Sequence, residues 1–286
     1  MAKIVVVGNV NIETTVAVGQ FPVAYEPVRY LQGGISQSVA AVGFNVALTL
    51  RGFGHEVRLL SIVGQDVAAG QIRGRLQEAG LPDEFVLGLA AETAQSVVLY
   101  DATGRRQVHT DLKDLLQQAY PAGPCQTALA GCDAIVLTNI NYARLLLPLA
   151  RASGLPILTD VQTISRLDDE YNRDFMAAAT LLFMSGEQLP MPPADWIAQL
   201  WQRYPAELVV IGQGAAGATL GERATGRISH QPAAPVDQIR SSGGAGDALA
   251  AAFLDGHLRG LAPLDALQHA QTHAATILHH AASNPA

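Results

Sequence analysis

Lysine is almost missing from this chain: among 286 residues only Lys3 and Lys113 occur. A nucleotide loop of the form G-x-x-x-x-G-K-[ST] needs a lysine directly after its glycines, and neither position offers one. That phosphate loop is excluded. Cysteine is equally scarce, and Cys125 and Cys132, seven apart, suit neither a zinc knuckle nor a disulfide framework. A reducing cytoplasm fits them. Charged residues make up only 15% and lean acidic, with 18 basic against 25 acidic side chains and a formal net charge of -7. Such a balance does not suit a duplex nucleic acid partner. Long apolar runs are absent too, since no stretch approaches the roughly 20 residues that span a bilayer. The opening run Ile4-Val5-Val6-Val7 meets Gly8 too soon for a signal peptide, so no membrane partner is expected.

What remains is 49% hydrophobic and long enough to bury a large core without a disulfide or metal staple. It reads as one domain, residues 1–286, with a small accessory piece. Short β-branched runs alternate with segments of helical period, the pattern of a layered α/β fold with parallel strands at its centre. Strands are expected at 3–8, 57–63, 134–138, 156–160, 180–184 and 207–211. From Val39, the positions Val42, Val46, Leu50 and Phe53 recur every three or four residues, which predicts a helix ended by Gly54. Residues 12–32 and about 84–110 break the alternation and read as β-hairpins, the second turning at Asp101-Ala102-Thr103-Gly104. Paired, they would form a lid over a cleft. Its edge strands would be covered by a second copy in a homodimer.

Glycines bunch at Ser242-Gly243-Gly244-Ala245-Gly246-Asp247, ahead of a helix rich in small residues. Bare amides at such a helix start attract an anion, with phosphate the natural guest, and the helix dipole adds to the pull. Asp247 could accept the proton of an attacking hydroxyl, or it could merely complement the dipole. Spacing alone does not separate these roles. Gly212-Gln213-Gly214-Ala215-Ala216-Gly217 spells the dinucleotide fingerprint G-x-G-x-x-G. A helix should follow it, whereas residues 217–221 and 227–230 read as strands, which leaves a loop touching a nucleotide phosphate. His269 and His273, with His279 and His280 beyond, have no acidic ligand beside them and read as the wet face of a terminal helix.

Gly244-Ala245-Gly246-Asp247 resembles the end of the D-T-x-G-A-G-D signature of the ribokinase (pfkB) family of sugar and nucleoside kinases. Further matches follow in family order. Gly8 to Glu13 resembles its G-x-x-N-x-D, and Gly43-Phe44-Asn45-Val46-Ala47 resembles its G-x-N-x-A. Val63-Gly64-Gln65-Asp66 is similar to its V-G-x-D, Asp160 to its D-P-x-R aspartate, and Gly214 with Gly217 to its T-x-G-x-x-G. The resemblance implies a three-layer αβα sandwich with a mostly parallel central sheet and a small β-sheet lid. It also implies ATP-dependent transfer of the γ-phosphoryl group to a hydroxyl of a sugar or sugar-like substrate, with Mg²⁺. Asp247 would be the catalytic base, and the amides of Gly244, Ala245 and Gly246 would hold the developing charge. Asn11, Glu13, Gly43 and Asn45 would line the sugar pocket, and Ser185, Gly212, Gly214 and Gly217 would lie along the nucleotide. Glu187 would meet Mg²⁺ through water.

Departures set the chain apart from ribokinase itself. Ser241 and Ser242 replace the Asp and Thr of the signature, which puts the monovalent-cation site in doubt. Ser185-Gly186-Glu187-Gln188 stands for N-x-x-E with its acid one position early, and Glu13 replaces the sugar-binding Asp. Ala40-Ala41 replace a Gly-Gly pair, and the chain ends at Ala286, short of the usual helical tail. The runs Gly43 to Leu48, Phe183-Met184-Ser185 and Phe253 to Leu258 resemble the branch that phosphorylates acarbose, a pseudo-oligosaccharide. Simple sugars and nucleosides stay open as acceptors, as does a non-catalytic sugar- or nucleotide-binding protein.

Overall fold

The computed structural model describes residues 1–236 and 243–280. In chain order its strands are β1 (Lys3–Val7), β2 (Asn11–Ala17), β3 (Ile35–Ala40), β4 (Glu56–Val63), β5 (Val86–Gly88), β6 (Gln95–Tyr100), β7 (Arg106–Asp111), β8 (Ala134–Leu137), β9 (Ile157–Thr163), β10 (Leu181–Ser185), β11 (Leu208–Gly212), β12 (Ala218–Glu222) and β13 (Arg227–Gln231). The helices are α1 (Val42–Gly52), α2 (Val67–Glu78), α3 (Ala122–Leu129), α4 (Asn141–Arg144), α5 (Leu147–Ala152), α6 (Arg173–Ala178), α7 (Pro193–Arg203), α8 (Ala245–Leu258) and α9 (Pro263–His280).

The larger sheet runs β13-β12-β11-β10-β9-β8-β1-β4-β5. Every neighbouring pair from β11 to β5 is parallel, and only β12 and β13 return antiparallel at one edge. A parallel strand covered on both faces needs apolar side chains at consecutive positions. β1 shows why: Ile4 and Val6 enter a core shared with α1, α2, α8 and α9, while Val5 and Val7 enter the opposite core with α3 to α7. Two cores on one sheet make a three-layer αβα sandwich.

A second sheet, ordered β3-β2-β6-β7, leaves the first through the short link after β1. Its central pair β2 and β6 is parallel and the outer pairs are antiparallel. Residues 12–32 do not form the expected hairpin, because β2 ends at Ala17, residues 18–34 hold no regular element, and the returning strand is β3. Ser36, Gln37 and Ser38 give β3 little apolar signal. Val39 shares the period of the following helix, yet it pairs with Ile12, so α1 begins only at Val42. The second hairpin joins β6 to β7, and Asp101 Oδ1 accepts the amides of Thr103 and Arg105 at 2.9 and 3.1 Å in its turn. The segment before it belongs elsewhere: Val86–Gly88 pairs with β4 in the larger sheet.

Helix α8 reaches the sheet closely through Ala250, Ala251 and Ala252, and Phe253 meets Phe183 edge-on with centroids 5.4 Å apart. Asp255, fully buried, ties this layer together by accepting from His55 Nε2 and His269 Nε2 at 2.9 Å each and from Arg259 Nε at 2.6 Å. His55 Nδ1 accepts the Ala2 amide at 3.1 Å, so Nε2 carries its proton. His269 and His273 therefore do not form a wet face. They pack on Phe53 with centroids 5.3 and 4.7 Å away, and the acid that partners His269 stands on the preceding helix, hidden from any local reading. Among the described residues no group of His, Cys, Asp or Glu is arranged to hold a metal alone.

Burial by itself would raise the Asp255 carboxyl, but the bonds from Arg259 and His55 outweigh it and hold the group below the usual carboxylate range. A depressed carboxyl adds stability above its unfolded value, about pH 4, and that stability is lost as pH falls through the folded value. Asp255→Ala leaves the buried His55 and the half-buried His269 without their acceptor and is expected to cost about 3 kcal/mol in urea unfolding at pH 7. The gap from the parent should narrow below about pH 4. Equal midpoints at pH 7 would rule this role out.

Candidate active site

Open parallel sheets bind ligands beyond the carboxyl ends of their strands. Gly8 and Asn9 follow β1 at that edge, Asp160 lies in β9, and Ser185 and Gly212 close β10 and β11. The position of Asn45 depends on how closely α1 approaches the link after β1. A Cβ on Gly43 would lie 2.4 Å from the Gly8 carbonyl carbon, so Gly43 is buried in a backbone contact that only glycine allows. The same contact brings Phe44 N to Asn9 O at 3.3 Å and sets Asn45 one position further on. Ala41, just before the helix, has φ 84° and ψ 158°, a region open to glycine and strained for alanine.

Asn45 Nδ2 donates to Asp247 Oδ2 at 2.8 Å across 202 positions of sequence. Gly244 opens α8 at φ 75°, and among the described residues no side chain caps that helix start. Asp247 is only 9% exposed. Burial raises its carboxyl, the Asn45 bond and the Arg106 charge pull it down, Glu13 pushes it up, and the net shift is upward. Asp160 is pushed up to about 6, chiefly by burial, with the Gln162 amide opposing and the Asp247 charge adding. These two acids therefore sense one another.

On the smaller sheet, Asn11 Nδ2 donates to Ser96 Oγ at 3.1 Å, and Ser96 Oγ donates to Glu13 Oε2 at 3.3 Å. Asn9 Oδ1 and Asn11 Oδ1 are buried without a hydrogen-bond partner among the described residues. Such acceptors suit the hydroxyls of a polyol. Sequence reasoning missed Ser96, which reaches Asn11 only because β6 lies beside β2, and no local signal announces it. Asn9 carried a signal, as a polar residue directly after a buried strand.

The other half of the site gathers at β10 and β11. Ser185 and Gly212 are register partners, Gly186 N donates to Gly212 O at 2.7 Å, and Glu187 N donates to Ser185 Oγ at 3.2 Å. Gly214 has φ 57° and Gly217 φ 103°, and a Cβ on Gly217 would lie 2.1 Å from Gln231 O. The chain then enters β12 rather than a helix, so the G-x-G-x-x-G letters here are a strand-to-strand turn and not a dinucleotide fingerprint. Ser241 and Ser242 lie outside the described residues.

Residues 1–285 match the pfkB family carbohydrate kinase. The chain belongs to that family. Among curated relatives, fructosamine kinase FrlD of Bacillus subtilis is 29% identical over 214 residues, covering 73% of each chain. Acarbose 7(IV)-phosphotransferase of an Actinoplanes species is 27% identical over 263 residues, 90% of this chain and 85% of that one. Among solved structures, the microbiome-derived acarbose kinase Mak1 superposes with a TM-score of 0.88 at 24% identity, over 97% of this chain and 93% of its own. This pfkB-family chain is thus a ribokinase-like α/β phosphotransferase with an alcohol group as acceptor, and its family implies ATP as donor. None of its helices among the described residues is long and apolar enough to cross a membrane.

Relief of the Ala41 strain offers a direct check on the α1 entrance. Ala41→Gly should raise stability by about 1 kcal/mol, the released strain less the extra chain entropy of glycine, seen as a higher urea midpoint. A lower midpoint would mean that Ala41 is not held in that conformation.

Proposed function

We propose that this protein transfers the γ-phosphoryl group of ATP to a hydroxyl of a sugar or sugar-like acceptor, with Asp247 as the catalytic base. The observation that carries this reading is Asp247 itself, a buried carboxylate in the first turn of α8 held by Asn45 at 2.8 Å. The acceptor hydroxyl gives its proton to Asp247, its oxygen bonds to the γ-phosphorus, and the bond from that phosphorus to the β-γ bridging oxygen breaks to release ADP. The amides of Gly244, Ala245 and Gly246 at the uncapped start of α8 would offset the growing negative charge. Asn11, Glu13 and Asn45 bind the acceptor, and the unpaired Asn9 and Asn11 oxygens would accept from its hydroxyls. Ser185, Gly212, Gly214 and Gly217 would lie along the nucleotide, with open space beside Gly214 and little crowding at Gly212, while Gly217 packs against Gln231 O and shapes the turn.

Mg²⁺ fits the donor chemistry, because it keeps most of its water and needs only one or two carboxylates besides the phosphates. It would shield the phosphate charge, and exposed Glu187 would hold it through water. The smaller sheet would act as a lid that keeps water from the phosphate. Its outer strands β3 and β7 are edges, Ile35 of β3 and Val97 of the inner strand β6 are exposed on the face opposite Glu13, and a second copy covers them in a homodimer. Buried free Cys125 and Cys132 suit a cytoplasmic setting. The likeness to two acarbose-phosphorylating proteins favours an extended sugar or pseudo-oligosaccharide as acceptor over a nucleoside.

ADP release with Mg-ATP, measured against pentoses, hexoses, nucleosides and acarbose-like oligosaccharides, tests the acceptor class. A signal with sugars or oligosaccharides is expected, and nucleoside-only turnover would reverse the preference. Asp247→Asn should lower kcat by about 10²–10⁴-fold while leaving the unfolding midpoint near the parent's. Because a base works unprotonated and burial raises this carboxyl, kcat should fall with pH on a limb that lies above the ordinary carboxylate range. An acid limb at or below about pH 4 in the parent would contradict that assignment.

A further inference from the structure

Among the described residues, Arg106 of the smaller sheet has no ion-pair partner. Arg106 opens β7, where it pairs with Tyr100, while Thr110 pairs with Ser96 and Ser96 with Glu13. Residues opposite one another in a ladder share a face, and every second residue returns to it. Arg106, Ser96, Glu13 and Asn11 therefore stand on the same face. The Asp247 carboxylate feels charges from this face, raised by Glu13 and lowered by Arg106. Two neighbouring cations are engaged: Lys113 pairs with Glu92 and Asp111, and the Arg105 guanidinium lies 5.6 Å over the Phe21 ring. Among the described residues Arg106 makes no ion pair and no side-chain hydrogen bond. Beside it is a cavity of about 430 Å³ lined by Phe21, Pro22, Arg105, Arg106 and Gln107, which gives the side chain room to move.

We propose that Arg106 is a further catalytic residue of this chain, its guanidinium reaching from the smaller sheet to the γ-phosphoryl group in flight. The inference rests on the phosphotransferase reading with Asp247 at the reacting hydroxyl. Phosphoryl transfer spreads negative charge over the equatorial oxygens of the moving group, and cations aimed there lower the barrier. The chain lacks a lysine after its glycines, so a planar fork that binds two phosphate oxygens at once fills the corresponding need from the opposite side. A bare cation in the field of the base also has a second effect. It favours the ionised, proton-accepting form of Asp247 against the burial that opposes it. An exposed arginine at a strand start is otherwise an ordinary solvated side chain, and the test must separate the two.

Calorimetric titration with Mg-ATP and with Mg-ADP, on the parent, Arg106→Gln, Arg106→Lys and Arg105→Gln, makes the separation without an acceptor. Contact with the γ-phosphoryl group predicts that Arg106→Gln weakens ATP about 10-fold or more and leaves ADP unchanged. Arg106→Lys should keep part of the ATP preference, because it retains the charge and loses the fork. Arg105→Gln, which stacks away on Phe21, should keep it all. An unchanged ATP to ADP ratio in Arg106→Gln overturns the proposal, as does an equal loss in both arginine-to-glutamine variants, which would indicate diffuse surface charge. A parent that binds neither nucleotide would instead remove the kinase reading itself. With an acceptor in hand, kcat of Arg106→Gln should drop about 10²–10³-fold at unchanged acceptor KM. A change confined to acceptor KM would assign Arg106 to the acceptor and overturn the proposal.

Discussion

The site depends on a single backbone contact. Gly8 and Gly43 approach so closely that a Cβ on either would collide with the other's main chain, and that approach draws the first turn of α1 against the link after β1. Asn9 and Asn11 leave that link, and Asn45 leaves that turn, so the three asparagines inherit their relative placement from the contact. Asn45 then fixes Asp247 across 202 positions by one hydrogen bond. A side chain at either glycine would separate α1 from β1 and move Asn45, with the Asp247 that it holds, away from Asn9 and Asn11. Strain at Ala41 is a local cost of the same arrangement, because the chain must turn sharply out of β3 to enter α1 in the right place.

Electrostatics at the site work against the intrinsic preference of each acid. Burial raises both Asp160 and Asp247, and Glu13 adds to the burden on Asp247. A buried carboxylate that is reluctant to ionise is a better proton acceptor once it does. Asn45 and Arg106 oppose that burden from two different elements, one from the helical layer and one from the smaller sheet. Asp255 shows the contrasting solution two turns further along α8, where three donors overcome burial completely and the carboxylate serves as an anchor.

Most of the larger sheet was legible in the sequence, because parallel strands covered on both faces must be apolar at consecutive positions, as at Ile4 to Val7. The smaller sheet was less so. One face of β3 and β7 is open, their composition is polar, and Ser36 to Ser38 give no hydrophobic alternation to follow. Val39 misled in the other direction, since its spacing to Val42 and Val46 is helical while its pairing with Ile12 is that of a strand. Local patterns report local preference, and a strand that is stabilised by its neighbour shows little of it.

By itself the sequence determined the αβα layering, the glycine positions that only tight turns and close contacts tolerate, and the ordered motifs that mark a pfkB-family kinase. Those properties depend on residue type along the chain. Tertiary structure alone decided that Ser96 sits with Asn11 and Glu13, that Asp255 gathers His55 and His269, and that Arg106 shares a face with Asn11, Glu13 and Ser96. Each of these joins segments from 14 to 200 positions apart or depends on the register between strands. Periodicity carries no record of register or partner, because a strand shows the same alternation whichever strand lies beside it.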